Sequence, residues 1–187
     1  MRFGLAAHRS VPRGFTLVEL MIVVAIVSIL ATIAGYGVSR YLAASKTGEA
    51  VQMIGAIKAA QESYKDETFQ YLNVSGNLST FYPTNARPGR NKVSWGAGTD
   101  AVANNWRTLG ISPTGPVLFV YSCTAGSAAT NVVSPGSDIT IGNWPTALGQ
   151  PWYVIKAVAD LDGSGDKPTV FVGSSFTTEL FSAGDGS

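Results

Sequence analysis

The chain of 187 residues suits one globular domain plus a long helix. Charged residues make up only 13% and the formal charge is +1; without the three arginines of residues 1–14, ten basic residues face twelve acidic ones, a net −2, which argues against a general polyanion-binding surface. The single histidine is His8, so no imidazole triad or imidazole metal site exists beyond it, and no phosphate-binding glycine loop with a lysine is present.

Residues 1–14 carry Arg2, His8, Arg9 and Arg13 and no acid. They lead into 15–38, an almost unbroken apolar run of 24 residues with one charge, Glu19. As a helix that run rises about 36 Å, enough for a hydrocarbon core of about 30 Å. The run exceeds the removable apolar core of a conventional signal peptide, and Ala43-Ala44-Ser45 is a poor small-residue cleavage site. A plain membrane anchor explains the span and the positive flank, which favours a cytoplasmic N-terminus. It leaves Glu19 unexplained, because an acid at bilayer depth is costly and reads as functional.

The string Gly14-Phe15-Thr16-Leu17-Val18-Glu19 followed by an apolar helix resembles the class III signal of type IV pilins and their pseudopilin relatives. The resemblance is strong over residues 13 to about 34 and implies a set of expectations. A prepilin peptidase cuts between Gly14 and Phe15 and methylates Phe15, so residues 1–14 are a leader. Glu19, the fourth residue beyond Phe15, is an assembly contact: the Phe15 ammonium freed by cleavage meets Glu19 of a neighbouring copy. The helix dipole already places partial positive charge at Phe15, and a misplaced copy leaves a buried charge unpaired, at a cost of about 3–5 kcal/mol.

Beyond the span, Ala50, Met53, Ile54, Ile57, Ala60 and Tyr64 recur at three- and four-residue spacing, which predicts an amphipathic continuation to residue 68 with Lys46, Glu49, Lys58, Glu62, Lys65 and Asp66 on its polar face. One helix from Phe15 to about Glu67 is roughly 80 Å long. Gly35-Tyr36-Gly37 interrupts the good helix formers where many pilins carry a proline. Each glycine costs about 1 kcal/mol against alanine, so the segment is a candidate soft point, or a place for close helix contact.

Residues 68–116, rich in Pro, Gly and Asn, read as a connecting region with Trp95 and Trp106 as buried anchors. Arg87, Arg90 and Lys92 form its one basic knot, expected to be a solvated loop or subunit contact rather than a nucleic-acid site. Strands are predicted at 117–123, weakly at 138–142, then at 152–159 and 169–173, as an antiparallel meander with one face on the helix and the other in solvent.

Cys123 is alone, so no intrachain disulfide is available, a departure from the many pilins that close their C-terminal region with one. It is expected to be a buried small hydrophobe. Asp160-Leu161-Asp162-Gly163-Ser164-Gly165-Asp166 resembles the first half of a calcium loop, with acids at alternate positions and a turn glycine. Phe171 stands where an EF-hand has its bidentate glutamate, so Asp160, Asp162 and Asp166 are a calcium candidate beside the plainer reading of a hairpin loop.

The fold expected is α+β: a long N-terminal helical spine under a C-terminal antiparallel sheet. It comprises a leader (1–14), a transmembrane or filament-core half (15–38), an amphipathic half (39–68) and a β-rich head (69–187). The function implied by the resemblance is a non-enzymatic filament subunit. Its expected partners are copies of itself, a prepilin peptidase, a pilus or type II secretion assembly machinery, and the inner membrane before assembly; no nucleic-acid partner is evident. Adhesion, motility and DNA uptake are the roles the family offers. The alternatives are a pseudopilin of a type II secretion system and a monomeric, membrane-anchored binding domain.

Overall fold

The computed structural model describes residues 14–89, 91–96, 98–161, 165 and 167–184. The chain forms two compact units, Met1–Tyr41 and Leu42–Ser187. Its elements in chain order are α1 (Leu17–Thr68), α2 (Ala101–Thr108), β1 (Val120–Gly126), β2 (Trp152–Ala159), β3 (Thr169–Ser174) and β4 (Phe181–Ala183). The strands pair in sequence order, each antiparallel to the next, with Cys123 opposite Ile155 and Ala157 opposite Phe171. An N-terminal apolar helix and a four-stranded antiparallel sheet make this the expected α+β fold.

In the first unit, Leu17–Gly35 is helical, apolar and fully exposed. Its polar side chains close on themselves. Ser28 Oγ donates to the Val24 carbonyl at 2.7 Å and Thr32 Oγ1 to the Ser28 carbonyl at 2.9 Å, so neither hydroxyl asks for a partner outside the helix. Gly35-Tyr36-Gly37 is helical here; how it behaves in an assembly is a separate matter.

In the second unit, the stripe Ala50, Met53, Ile54 and Ile57 is buried, with Ala60 and Tyr64 packed at its margin. It covers one sheet face, built from Tyr121, Cys123, Ala125, Tyr153, Ile155, Ala157 and Phe171. Close approach needs a glycine at 173, because a Cβ there would lie 2.9 Å from Ile54 Cγ2 and 3.0 Å from Lys58 Cε. Gln61, fully buried, pairs with Leu72 as a strand residue would: Nε2 donates to the Leu72 carbonyl at 2.8 Å and Oε1 accepts its N–H at 2.9 Å. Nε2 also reaches Cys123 Sγ at 3.1 Å. Cys123 is buried as expected, and burial pushes its thiol up to about 12.

The expectation of a solvent-facing sheet is overturned. The outer face, with Val120, Trp152, Val154, Val158, Val170 and Val172, is buried in a second core under Leu78, Val132 and Ile139, with Trp144, Phe176 and Phe181 at its edge. The reason is visible in β2. Trp152-Tyr153-Val154-Ile155-Lys156-Ala157-Val158-Ala159 does not alternate apolar with polar, and a strand of that kind is buried on both faces. Its one charge, Lys156, is 5% exposed and is satisfied by the covering loop, donating to the Pro135 carbonyl at 2.8 Å and to Asp138 Oδ2 at 3.0 Å.

Other expectations shift. Residues 138–142 are loop, not strand: Asp138 is drawn to Lys156 and Ile139 is buried in the second core, so the apolar residues are consumed by side-chain contacts instead of a ladder. Val117 makes only an isolated bridge with Val93, and β1 starts at Val120. The region 68–116 contains α2, capped by Asp100, whose Oδ1 accepts the Ala103 N–H at 2.8 Å. Trp106, buried on α2, and half-buried Trp95 stack edge-on at 5.5 Å, as anchors should.

Candidate assembly site

The N-terminus of α1 is built by two side chains that bind each other's backbone. Thr16 precedes the first helical residue, Leu17, and its carbonyl accepts the Leu20 N–H at 3.2 Å. The Glu19 N–H donates to Thr16 Oγ1 at 3.2 Å, while Glu19 Oε2 accepts the Thr16 N–H at 2.9 Å and the Thr16 hydroxyl at 2.7 Å. This is a capping box: Thr16 is the N-cap and Glu19 the third helical residue. The negative charge sits where the helix dipole favours it.

Sequence reasoning placed Glu19 in an interaction between copies and overlooked its bond to Thr16. The signal was there, since Thr16-x-x-Glu19 ahead of an apolar run is the capping-box pattern. Among the described residues, both bonds to the carboxylate fall on Oε2, so Oε1 is left open. Phe15, immediately outside the cap, is 87% exposed, and Gly14 beside it touches nothing within 4 Å of its would-be side chain. The residues expected to flank the cleaved bond, Gly14 and Phe15, are thus exposed and contiguous with the capped carboxylate.

The calcium candidate is not assembled within the described residues. Asp162 and Asp166 lie outside them; Asp160 Oδ2 accepts the Gly165 N–H at 3.1 Å, a turn-closing bond. No group of three or more metal-ligating side chains occurs among the described residues. Of the basic knot, Arg90 also lies outside them. Arg87 stands 3.8 Å from Asp138 and Lys92 3.5 Å from Glu49, so the two described members are each paired with a different carboxylate.

The family profile described as the prokaryotic N-terminal methylation motif matches residues 9–35. Over 92 residues, 49% of this chain and 41% of the relative, the sequence is 40% identical to the type IV major pilin protein PilA of Myxococcus xanthus (strain DK1622). It is 46% identical over 56 residues, 30% of this chain and 37% of the relative, to the fimbrial protein EcpC of Eikenella corrodens. A fimbrial protein of Pseudomonas aeruginosa is 51% identical over 51 residues, 27% of this chain and 33% of its own. The chain therefore spans about two fifths or less of the length of the curated relatives it matches. No solved structure matches.

The matched motif lies on the capped, exposed apolar helix, and the curated proteins that the chain resembles are pilin and fimbrial proteins. The motif and the curated relatives together support the type IV pilin family.

Proposed function

We propose that the chain is the structural subunit of a type IV pilus-like filament, made as a precursor that is cleaved between Gly14 and Phe15 and methylated at Phe15. Residues 1–14 are its leader, 15–38 the segment that leaves lipid for a filament core, 39–68 the amphipathic half of the helix and 69–187 the head. Its role is structural and not catalytic; the prepilin peptidase that acts on it is a partner, as are the inner membrane and the assembly machinery. The precursor sits in that membrane with a cytoplasmic N-terminus.

One observation carries the reading: an entirely exposed apolar helix whose first turn holds a carboxylate with one oxygen unbonded among the described residues. Lipid can cover the helix, but lipid gives that oxygen no cation. The Phe15 ammonium of a second copy does both, because it arrives on a helix of the same apolar kind. The names of the relatives, pilin and fimbrial protein, favour a surface filament over a secretion pseudopilus. Mass spectrometry of the mature protein tests the first step: an N-terminus at methyl-Phe15 is expected, and an intact residue 1–14 segment in surface material would sink the proposal. Sheared surface filaments that contain the chain are the second expectation.

A further inference from the structure

Two features of the second unit have no role within one copy. The first is Phe69, at the C-terminal end of α1. It is 83% exposed, and its φ is +63°, the left-handed region that a bulky residue adopts only at a cost and that glycine adopts freely. Its N–H donates to the Lys65 carbonyl at 2.7 Å, so the backbone closes the helix correctly. Glycine would do that with less strain, and the ring gains no burial in return.

The second is a cavity of about 510 Å³ between α1 and the loop before β1. Its apolar walls include Met53, Ala56, Ile111, Pro113, Pro116 and Val117. A closed apolar cavity of about 150 Å³ already holds a benzene ring, so a phenylalanine side chain fits with room for its flanking residues. The charges agree. Phe69 follows Asp66 and Glu67 at the negative end of the helix dipole. The cavity rim carries Lys92, whose side chain is 54% exposed, while its partner Glu49 is turned inward onto the Leu118 and Phe119 N–H groups.

We infer that Phe69 of one copy seats in this cavity of a second copy, with Asp66 and Glu67 facing Lys92. The inference rests on the filament-subunit reading and adds a contact between heads to it. Ring and cavity lie on different parts of the surface, since the sixteen residues from Met53 to Phe69 rise about 24 Å along the helix. A ring and a cavity so separated can be used head to tail, and such a heterologous contact propagates into an open helical array when its rotation does not close.

The test uses filaments sheared from cells that make the full chain with Gln70→Cys and Gln52→Cys together, which leaves the Phe69 ring in place. Mild oxidation is expected to give a ladder of covalent multimers, whereas either single variant stays monomeric; Cys123 is fully buried and does not compete. Phe69→Gly supplies an independent readout, because it relieves the backbone while deleting the ring. Its monomer should melt no lower than the parent, and its filament yield should fall by about tenfold or more, the scale of a central anchor residue. Filaments that assemble without the ladder, or a Phe69→Gly yield equal to the parent's, would overturn the contact and leave the subunit reading standing. Absence of the parent chain from any filament would overturn both.

Discussion

Lys156 reaches Asp138 at 3.0 Å from the middle of a strand buried on both faces. The ammonium is held by a loop eighteen residues earlier, and that loop is what keeps the outer sheet face dry. Removing Asp138 leaves the cation buried with only the Pro135 carbonyl. Asp138→Ala should therefore destabilise the head by about 2 kcal/mol, below the roughly 3–5 kcal/mol of a fully buried pair because the Asp138 side chain is 30% exposed. Lys156→Met, which removes the charge and keeps the stem, should cost less. Urea unfolding of the two variants in detergent checks the order; equal losses would mean that the unpaired buried charge adds nothing to the cost of losing the pair.

Glu19 caps its own helix, and on the proposed function it also offers an oxygen to another copy. Glutamine preserves the first and removes the charge needed for the second. Glu19→Gln should keep the helicity of the solubilised subunit and abolish filament formation. Thr16→Ala should cost about 1 kcal/mol in helix stability. Circular dichroism and filament yield read the two effects apart; normal filaments from Glu19→Gln would reduce Glu19 to a cap.

Gly173 allows Ile54 and Lys58 to lie against β3. Alanine there must push on a buried isoleucine as well as on a flexible lysine. We expect Gly173→Ala to destabilise by about 1–3 kcal/mol, the usual range for overpacking, measured as a lowered unfolding midpoint with an unchanged slope.

The Cys123 thiol, raised to about 12 by burial, makes alkaline pH a stress. The unfolded thiol ionises near its ordinary value of 9.0 while the folded one keeps its proton. Between those values the folded state binds more protons, so stability is intact below about pH 9 and falls as pH rises toward 12. Burial raises the Tyr121 and Tyr153 hydroxyls too, with the same sign. Cys123→Ala should lessen the alkaline slope by up to about 1.4 kcal/mol per pH unit; an identical slope would show that the tyrosines carry it all.

What could be read in the sequence was whatever is encoded locally. Gly14 through Leu30 announce themselves because cleavage, cap and apolar run are contiguous, and the stripe from Ala50 to Tyr64 repeats at helical spacing. β2 and β3 are legible from dense β-branched and aromatic content. What failed was non-local. The burial of Lys156 was not legible because its acceptors, Pro135 and Asp138, lie on a loop whose course no periodicity reveals. Asp138 through Gly142 were expected to form a strand, yet Ile139 and Ile141 pack on the outer face of the β1–β4 sheet. β4, at three residues, is too short for any pattern. At the assembly site the cap was legible and overlooked, since attention went to the charge of Glu19 and not to the hydroxyl three residues before it.

The clasp between Gln61 and Leu72 sets how the head would bear a pull. Its two hydrogen bonds run from one side-chain amide to the N–H and carbonyl of one residue, so both must break before Leu72 parts from the helix. The turn between Thr68 and Tyr71 is then spared the load. A single buried amide thereby gives the helix and the segment after it a mechanical joint, in a chain with no disulfide to serve as one.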